Sequence, residues 1–223
     1  MINGIRILLA DDHPMVLDGV AKILDDEFEV VGKVEDGRAL VAAAQELTPD
    51  IIVTDMTMPL LHGLEACRQL RQLAIASKVI FLTMHADVAY AKEAFEAGAS
   101  GYLLKRSAAS ELVEAIHTVI QGRAYLTPLV FLDDQIPLEY GSQNQVPMLK
   151  HLTPRQREVL QLIAEGKSIK EIAVILSLSV KTVDFHKTKL MDTLHIGSNA
   201  DLTKFALSHG LVEPASFPIT SSC

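Results

Sequence analysis

Over the first 122 residues short apolar runs alternate with longer amphipathic stretches, and this constrains the fold more than any other feature of the chain. The runs are Ile5 to Ala10, Phe28 to Val34, Ile51 to Thr54, Val79 to Thr83 and Gly101 to Leu104. Runs so short, rich in Val, Ile, Leu and Phe, predict strands buried on both faces. Between and after them, helical periodicity predicts helices over Pro14 to Asp26, Arg38 to Leu47, Gly63 to Leu73, Val88 to Ala97 and Ala108 to Gln121. Strands alternating with helices of this length predict an α/β domain, a doubly wound parallel sheet covered by helices on both faces.

The rhythm then breaks. Residues 123–148 carry Pro128, Pro137, Pro147 and the polar run Gly141 to Gln145, which predicts a linker, with Leu129 to Leu132 apolar enough to dock. From residue 149 the pattern is all-helical. Thr153-Pro154-Arg155-Gln156 and Ser168-Ile169-Lys170-Glu171 are capping boxes, Ser198 to Asp201 is a related start, and Ser179 can cap a helix from Val180. Helices joined by such turns predict a small all-α bundle, with Glu171 to Leu190 in helix-turn-helix layout.

Net charge supports this division into residues 1–122, 123–148 and 149–223. The three parts carry −8, −2 and +2, so the whole-chain figure of −8 averages unlike pieces. Only the last has the balance for a polyanionic partner. No apolar run approaches the ~18 residues of a membrane span. The start of the chain, with Arg6 and then Asp11 and Asp12, does not read as a signal peptide. Cys67 and Cys223 are too few and too distant for a disulfide framework or metal cluster. The expectation is a soluble cytoplasmic protein without membrane partners.

In a doubly wound sheet, ligands sit beyond the carboxyl ends of the strands. The first predicted strand runs into Asp11-Asp12, the third into Asp55, the fourth ends at Thr83 and the fifth runs into Lys105. Three carboxylates, a hydroxyl and an ammonium therefore converge. Asp11, Asp12 and Asp55 make an oxygen-rich site suited to Mg2+, and Asp55 can attack phosphorus to give an aspartyl-phosphate. Thr83 can donate to a phosphoryl oxygen, and Lys105 supplies compact positive charge. Taken singly each has a plainer reading, as helix cap, strand end or solvated surface; the set at successive strand ends carries the functional one.

These residues match a family. Asp11-Asp12, Asp55-Met56-Thr57-Met58-Pro59 with Gly63, Thr83, and Gly98 to Lys105 with Tyr102 resemble the receiver domain of two-component response regulators, over residues 5–121. The resemblance implies a flavodoxin-like five-stranded sheet of order 2-1-3-4-5. It implies that Asp55 accepts phosphoryl from a sensor histidine kinase and that Thr83 and Tyr102 rearrange as the switch. It also implies Mg2+ held by Asp11, Asp12, Asp55 and the backbone carbonyl of Thr57. Two positions depart from many receivers: His62 stands where an acid or amide is common, and Arg106 where proline follows the lysine.

The segment Leu152 to Leu160, then Gly166 to Ala173, then Ser179 to Val183 with His186, resembles the LuxR-type helix-turn-helix over about residues 150–211. Together the two resemblances imply a response regulator of the NarL/FixJ family, acting as a homodimer on operator DNA to regulate transcription. Spacing independently orients the reading helix. Val183, His186, Leu190 and Leu194 form its inward stripe, leaving Lys181, Asp184, Phe185 and Thr188 on the opposite face. Thr182 is grouped with that face, and Lys187 and Lys189 flank it within reach of phosphates. Asp184 can accept from cytosine N4, and Phe185 can touch a thymine methyl.

Two rivals stand beside this non-enzymatic reading. A Mg2+-dependent phosphatase with an aspartyl nucleophile needs a second Asp where Thr57 stands. A receiver acting by protein contact alone would keep the fold without phosphorylation.

Overall fold

The structure is a computed structural model that describes residues 4–132, 149 and 151–213. The chain divides into two compact units, Met1–Glu139 and Tyr140–Cys223. Pro137, the run Gly141 to Gln145, Pro147 and Cys223 lie outside the described residues.

In the first unit β1 (Arg6–Ala10), α1 (Pro14–Leu24), β2 (Glu29–Val34), α2 (Gly37–Leu47) and β3 (Ile51–Thr54) are followed by α3 (Gly63–Gln72), β4 (Lys78–Thr83), α4 (Val88–Ala97), β5 (Gly101–Leu104) and α5 (Ala108–Ile120). Local chemistry marks the ends. Pro14 opens α1, where a missing N–H costs nothing, and the Asp36 carboxylate accepts from the Arg38 and Ala39 amides at the start of α2. Asp87 caps α4 by accepting from Ala89 N at 2.7 Å, and Gly98 closes it at φ 113°, a left-handed conformation that favours glycine.

The strands are parallel, in the order β2-β1-β3-β4-β5, with a sixth strand β6 (Tyr125–Leu126) at the end. The expected sheet had five strands; the sixth comes from residues assigned to the linker. Two residues among polar and proline positions give no period-2 signal, so pairing with β5 decides their conformation. A one-turn helix, α6 (Leu129–Leu132), follows, and its Val130 is fully buried.

Alternation along the strands divides the core. Leu8, Ala10, Ile52, Phe81 and Tyr102 pack with α2, α3 and α4, and Val130 joins this layer. Ile7, Leu9, Val53, Ile80 and Leu82 pack with α1 and α5 on the other face. Register then positions the site. Ala10 lies opposite Thr54 and Thr83 opposite Leu104, so the residues that follow these strands emerge side by side.

The second unit holds α7 (Pro154–Ala164), α8 (Ile169–Ile175), α9 (Val180–Leu194) and α10 (Asn199–Ser208). Both capping boxes form, through Thr153 with Gln156 and Ser168 with Glu171. Ser179 caps α9 by accepting from Thr182 N, and Ser198 caps α10 by accepting from Asp201 N. Leu160, Ile172, Val183, Leu190, Leu202 and Ala206 are fully buried. Among the described residues, no helix is long and apolar enough to cross a membrane.

Candidate functional site

Two strand ends set the centre of the first unit's site. Asp11 N donates to Val34 O at 3.1 Å and Asp55 N to Ala10 O at 2.8 Å, so both residues are fixed by the sheet ladder before their side chains are considered. Both carboxylates are buried, and Lys105 reaches between them with Nζ 2.7 Å from Asp11 Oδ2 and 2.7 Å from Asp55 Oδ2. The Met56 amide donates to Asp55 Oδ1 at 2.6 Å. Gly63 secures the turn beyond Asp55: its amide donates to Met56 O at 2.7 Å, and a Cβ there would stand 2.3 Å from Asp55 O.

Burial pushes the Asp55 carboxyl up to about 6, against the attraction of Lys105. Burial also works against the Lys105 ammonium, but the Asp55 and Asp11 carboxylates more than offset it and hold its proton. The site thus keeps a buried acid whose charged form depends on a neighbouring cation.

Asp12 lies at the rim. Its Oδ1 is buried without a hydrogen-bond partner, while His13 Nδ1 lies 2.8 Å away, close enough for an ion pair but not aligned as a hydrogen bond. Carboxylate oxygens of Asp11 and Asp12 and a His13 nitrogen lie within 4.8 Å of one another, the only such group of potential metal ligands among the described residues. An orphaned carboxylate oxygen beside a second carboxylate suits a hard divalent cation such as Mg2+. Asp55 stands outside that group and is joined to Asp11 through Lys105.

Thr83 is fully buried, and its Oγ1 accepts from His85 N at 3.3 Å. Tyr102 is also fully buried, and its hydroxyl donates to His85 O at 2.8 Å. The Thr57 hydroxyl lies 3.3 Å from His85 Nε2, and the His85 ring stacks on Tyr90 at 4.7 Å. Burial pushes the His85 imidazole below its usual value. His85 thus touches Thr57, Thr83 and Tyr102 together. Sequence reasoning passed over it and over His13; their signal was position alone, two residues after Thr83 and one after Asp12. Among the described peptide bonds none is cis, including the one to Arg106.

On α9, Val183 and Leu190 are fully buried and Leu194 is buried, while His186 of the expected inward stripe is half-buried with its ring edge-on to Phe185. Lys181, Asp184, Thr188 and Lys189 are exposed, Thr182 and Lys187 half-buried, and Phe185 is 58% exposed. The Thr188 hydroxyl donates back to Asp184 O at 3.0 Å, which turns it toward its own helix. Ser179 and Thr182 hydroxyls are paired at 2.8 Å. Phe185 thus stands exposed with Lys181 and Lys189 one turn to either side of it on the helix.

A doubly wound sheet with an acid, lysine and hydroxyl cluster, followed by a capped helix-turn-helix, defines a two-component response regulator of the transcriptional class. Residues 7–117 match the response regulator receiver domain, and residues 150–206 match the bacterial regulatory proteins of the luxR family. The chain is 37% identical over 210 residues to the transcriptional regulatory protein LiaR of Bacillus subtilis, covering 93% of this chain and 99% of that one. It is 36% identical to the transcriptional regulatory protein MctR of Rhizobium johnstonii, covering 93% and 95%. Among solved structures, the two-component response regulator RcsB in complex with DNA matches at 29% identity and TM-score 0.56, over 92% of this chain and 99% of that one. The chain belongs to this family of response regulators, with a receiver followed by a LuxR-type DNA-binding domain.

Proposed function

We propose that Asp55 accepts a phosphoryl group from a sensor histidine kinase in the cytoplasm, and that the modified chain pairs as a homodimer on operator DNA. The observation that supports this most is the buried Asp55 carboxylate, held between the Met56 amide and Lys105 at the end of the sheet. Asp55 attacks phosphorus as the phosphorus–nitrogen bond of a kinase phosphohistidine breaks; the imidazole leaves with the bonding electrons and takes a proton from solvent. Lys105 and the Thr83 hydroxyl neutralise and hydrogen-bond the phosphoryl oxygens as the acid loses its carboxylate charge. Asp11, Asp12 and Asp55, with the Thr57 carbonyl, would hold Mg2+, which supplies charge neutralisation between the acids and the incoming phosphoryl oxygens. The protein is modified once rather than turning over an external substrate.

In this reading the receiver runs through Val130 and the DNA reader begins at residue 149. Lys181, Thr182, Asp184, Phe185 and Thr188 face the major groove, while Lys187 and Lys189 meet phosphates. The test is labelling of the full chain by acetyl phosphate with Mg2+, followed by selection of DNA sites from a random pool. Labelling is expected in wild type and not in Asp55→Ala. Undiminished labelling of the variant, or selection of no sites, would overturn the reading.

A further inference from the structure

The residues between the sheet and the linker reach the switch directly. Tyr102 is held at both ends. Its hydroxyl donates to His85 O at 2.8 Å, on the loop that also ties Thr83, and its carbonyl accepts from Thr127 N at 3.0 Å. Tyr102 lies opposite Leu126 in the β5–β6 pairing, and its ring lies in the core layer that Val130 joins. Thr127 is fully buried, and its hydroxyl has no hydrogen-bond partner, so the docked segment holds an unsatisfied polar group. A segment that closes the core around Tyr102 while carrying such a defect is poised to leave when Tyr102 moves.

We infer that Thr127 and Val130 are positioning residues that act through Tyr102, so that the Thr83–His85 loop and the segment Tyr125–Val130 respond as one coupled unit. This rests on the phosphoacceptor reading only for what moves Tyr102. The coupling itself belongs to the unmodified chain, because an energetic link between two sites is reciprocal. Loosening the segment must loosen the loop.

Amide hydrogen exchange on the full chain tests it. In unmodified Val130→Ala, exchange at Met84 to Asp87 is expected to quicken at least fivefold. Val119→Ala, which opens an equally buried position on the other face of the sheet, controls for general loosening. Equal quickening in both variants would overturn the inference. Thr127→Val, which replaces the orphaned hydroxyl with a methyl, is expected to slow exchange at Thr127 to Val130 about fivefold. With acetyl phosphate and Mg2+, intact mass reports the Asp55 adduct while exchange reports the segment. Protection at Tyr125 to Val130 is expected to fall in wild type and to fall less in Thr127→Val. An adduct without that fall sinks the inference and leaves the phosphoacceptor reading standing. Absence of an adduct sinks that reading, while the Val130→Ala comparison still decides the coupling.

Discussion

Asp55 is kept where its charge is costly, and this can be measured before any phosphoryl group arrives. Its carboxyl titrates at about 6 in the metal-free fold, above an ordinary aspartate. A raised carboxyl favours the folded state at low pH; that contribution is fully present below the unfolded value and is lost as pH rises through about 6. Asp55→Asn should therefore match wild type near pH 4 and become more stable above pH 7. Removing a carboxyl raised this far should bring a gain of at most about 3 kcal/mol, read from urea melts across pH without Mg2+. Lys105→Met should do the reverse, because it leaves Asp11 and Asp55 buried without their cation. A loss of about 3 kcal/mol at pH 8, shrinking towards pH 5, is the expected outcome of the same melts. These residues were legible in the sequence because each follows a strand. His85 was not, since histidine after a strand carries no pattern and its importance comes from three contacts that only the folded loop creates.

Elements with a strong period are where sequence and structure agree most closely. The expected strands Ile51 to Thr54 and Gly101 to Leu104, and the helix Val88 to Ala97, have the observed bounds: the first is a wholly β-branched run, the second a short run buried throughout, and Asp87 and Gly98 mark the helix ends. The helix expected over Pro14 to Asp26 stops at Leu24, where Phe28 N instead bonds back to Leu24 O and turns the chain into β2. Strand β6 escaped notice for the opposite reason: it exists by pairing, not by propensity. Gly63 shows how an element boundary controls chemistry. Its helix starts against the backbone of Asp55 and Met56, with no room for a methyl group. Gly63→Ala should cost about 2 kcal/mol by overpacking and should also slow acetyl-phosphate labelling of Asp55, since relief comes only by moving that turn. Unaltered labelling kinetics in a destabilised variant would show that the acceptor is held independently of α3.

At the scale of the whole chain, net charge conceals two different balances. Residues 1–122 carry −8, to which three strand-end acids contribute, and residues 149–223 carry only +2. So slight an excess makes DNA affinity depend on a few lysines rather than on a general basic field. Lys187→Ala and Lys189→Ala should each lower the slope of log affinity against log salt by about one, for any DNA sequence. Phe185→Ala should leave that slope unchanged and reduce the preference for selected over random sites, as titrations at several salt concentrations would show. The sixth strand has its own consequence at this scale. An unpaired strand edge is a template on which a second chain can grow, and natural sheets protect their edges with short strands or proline. Here the last strand is two residues long, and Pro128 follows soon after. A receiver fragment ending at Gly122, where the apolar rhythm stops, would leave Gly101–Leu104 as a bare and wholly buried-type edge. Such a fragment should aggregate where one ending at Leu132 stays monomeric in light scattering, so the residues that look like the start of a tether are also the sheet's protection against its own kind.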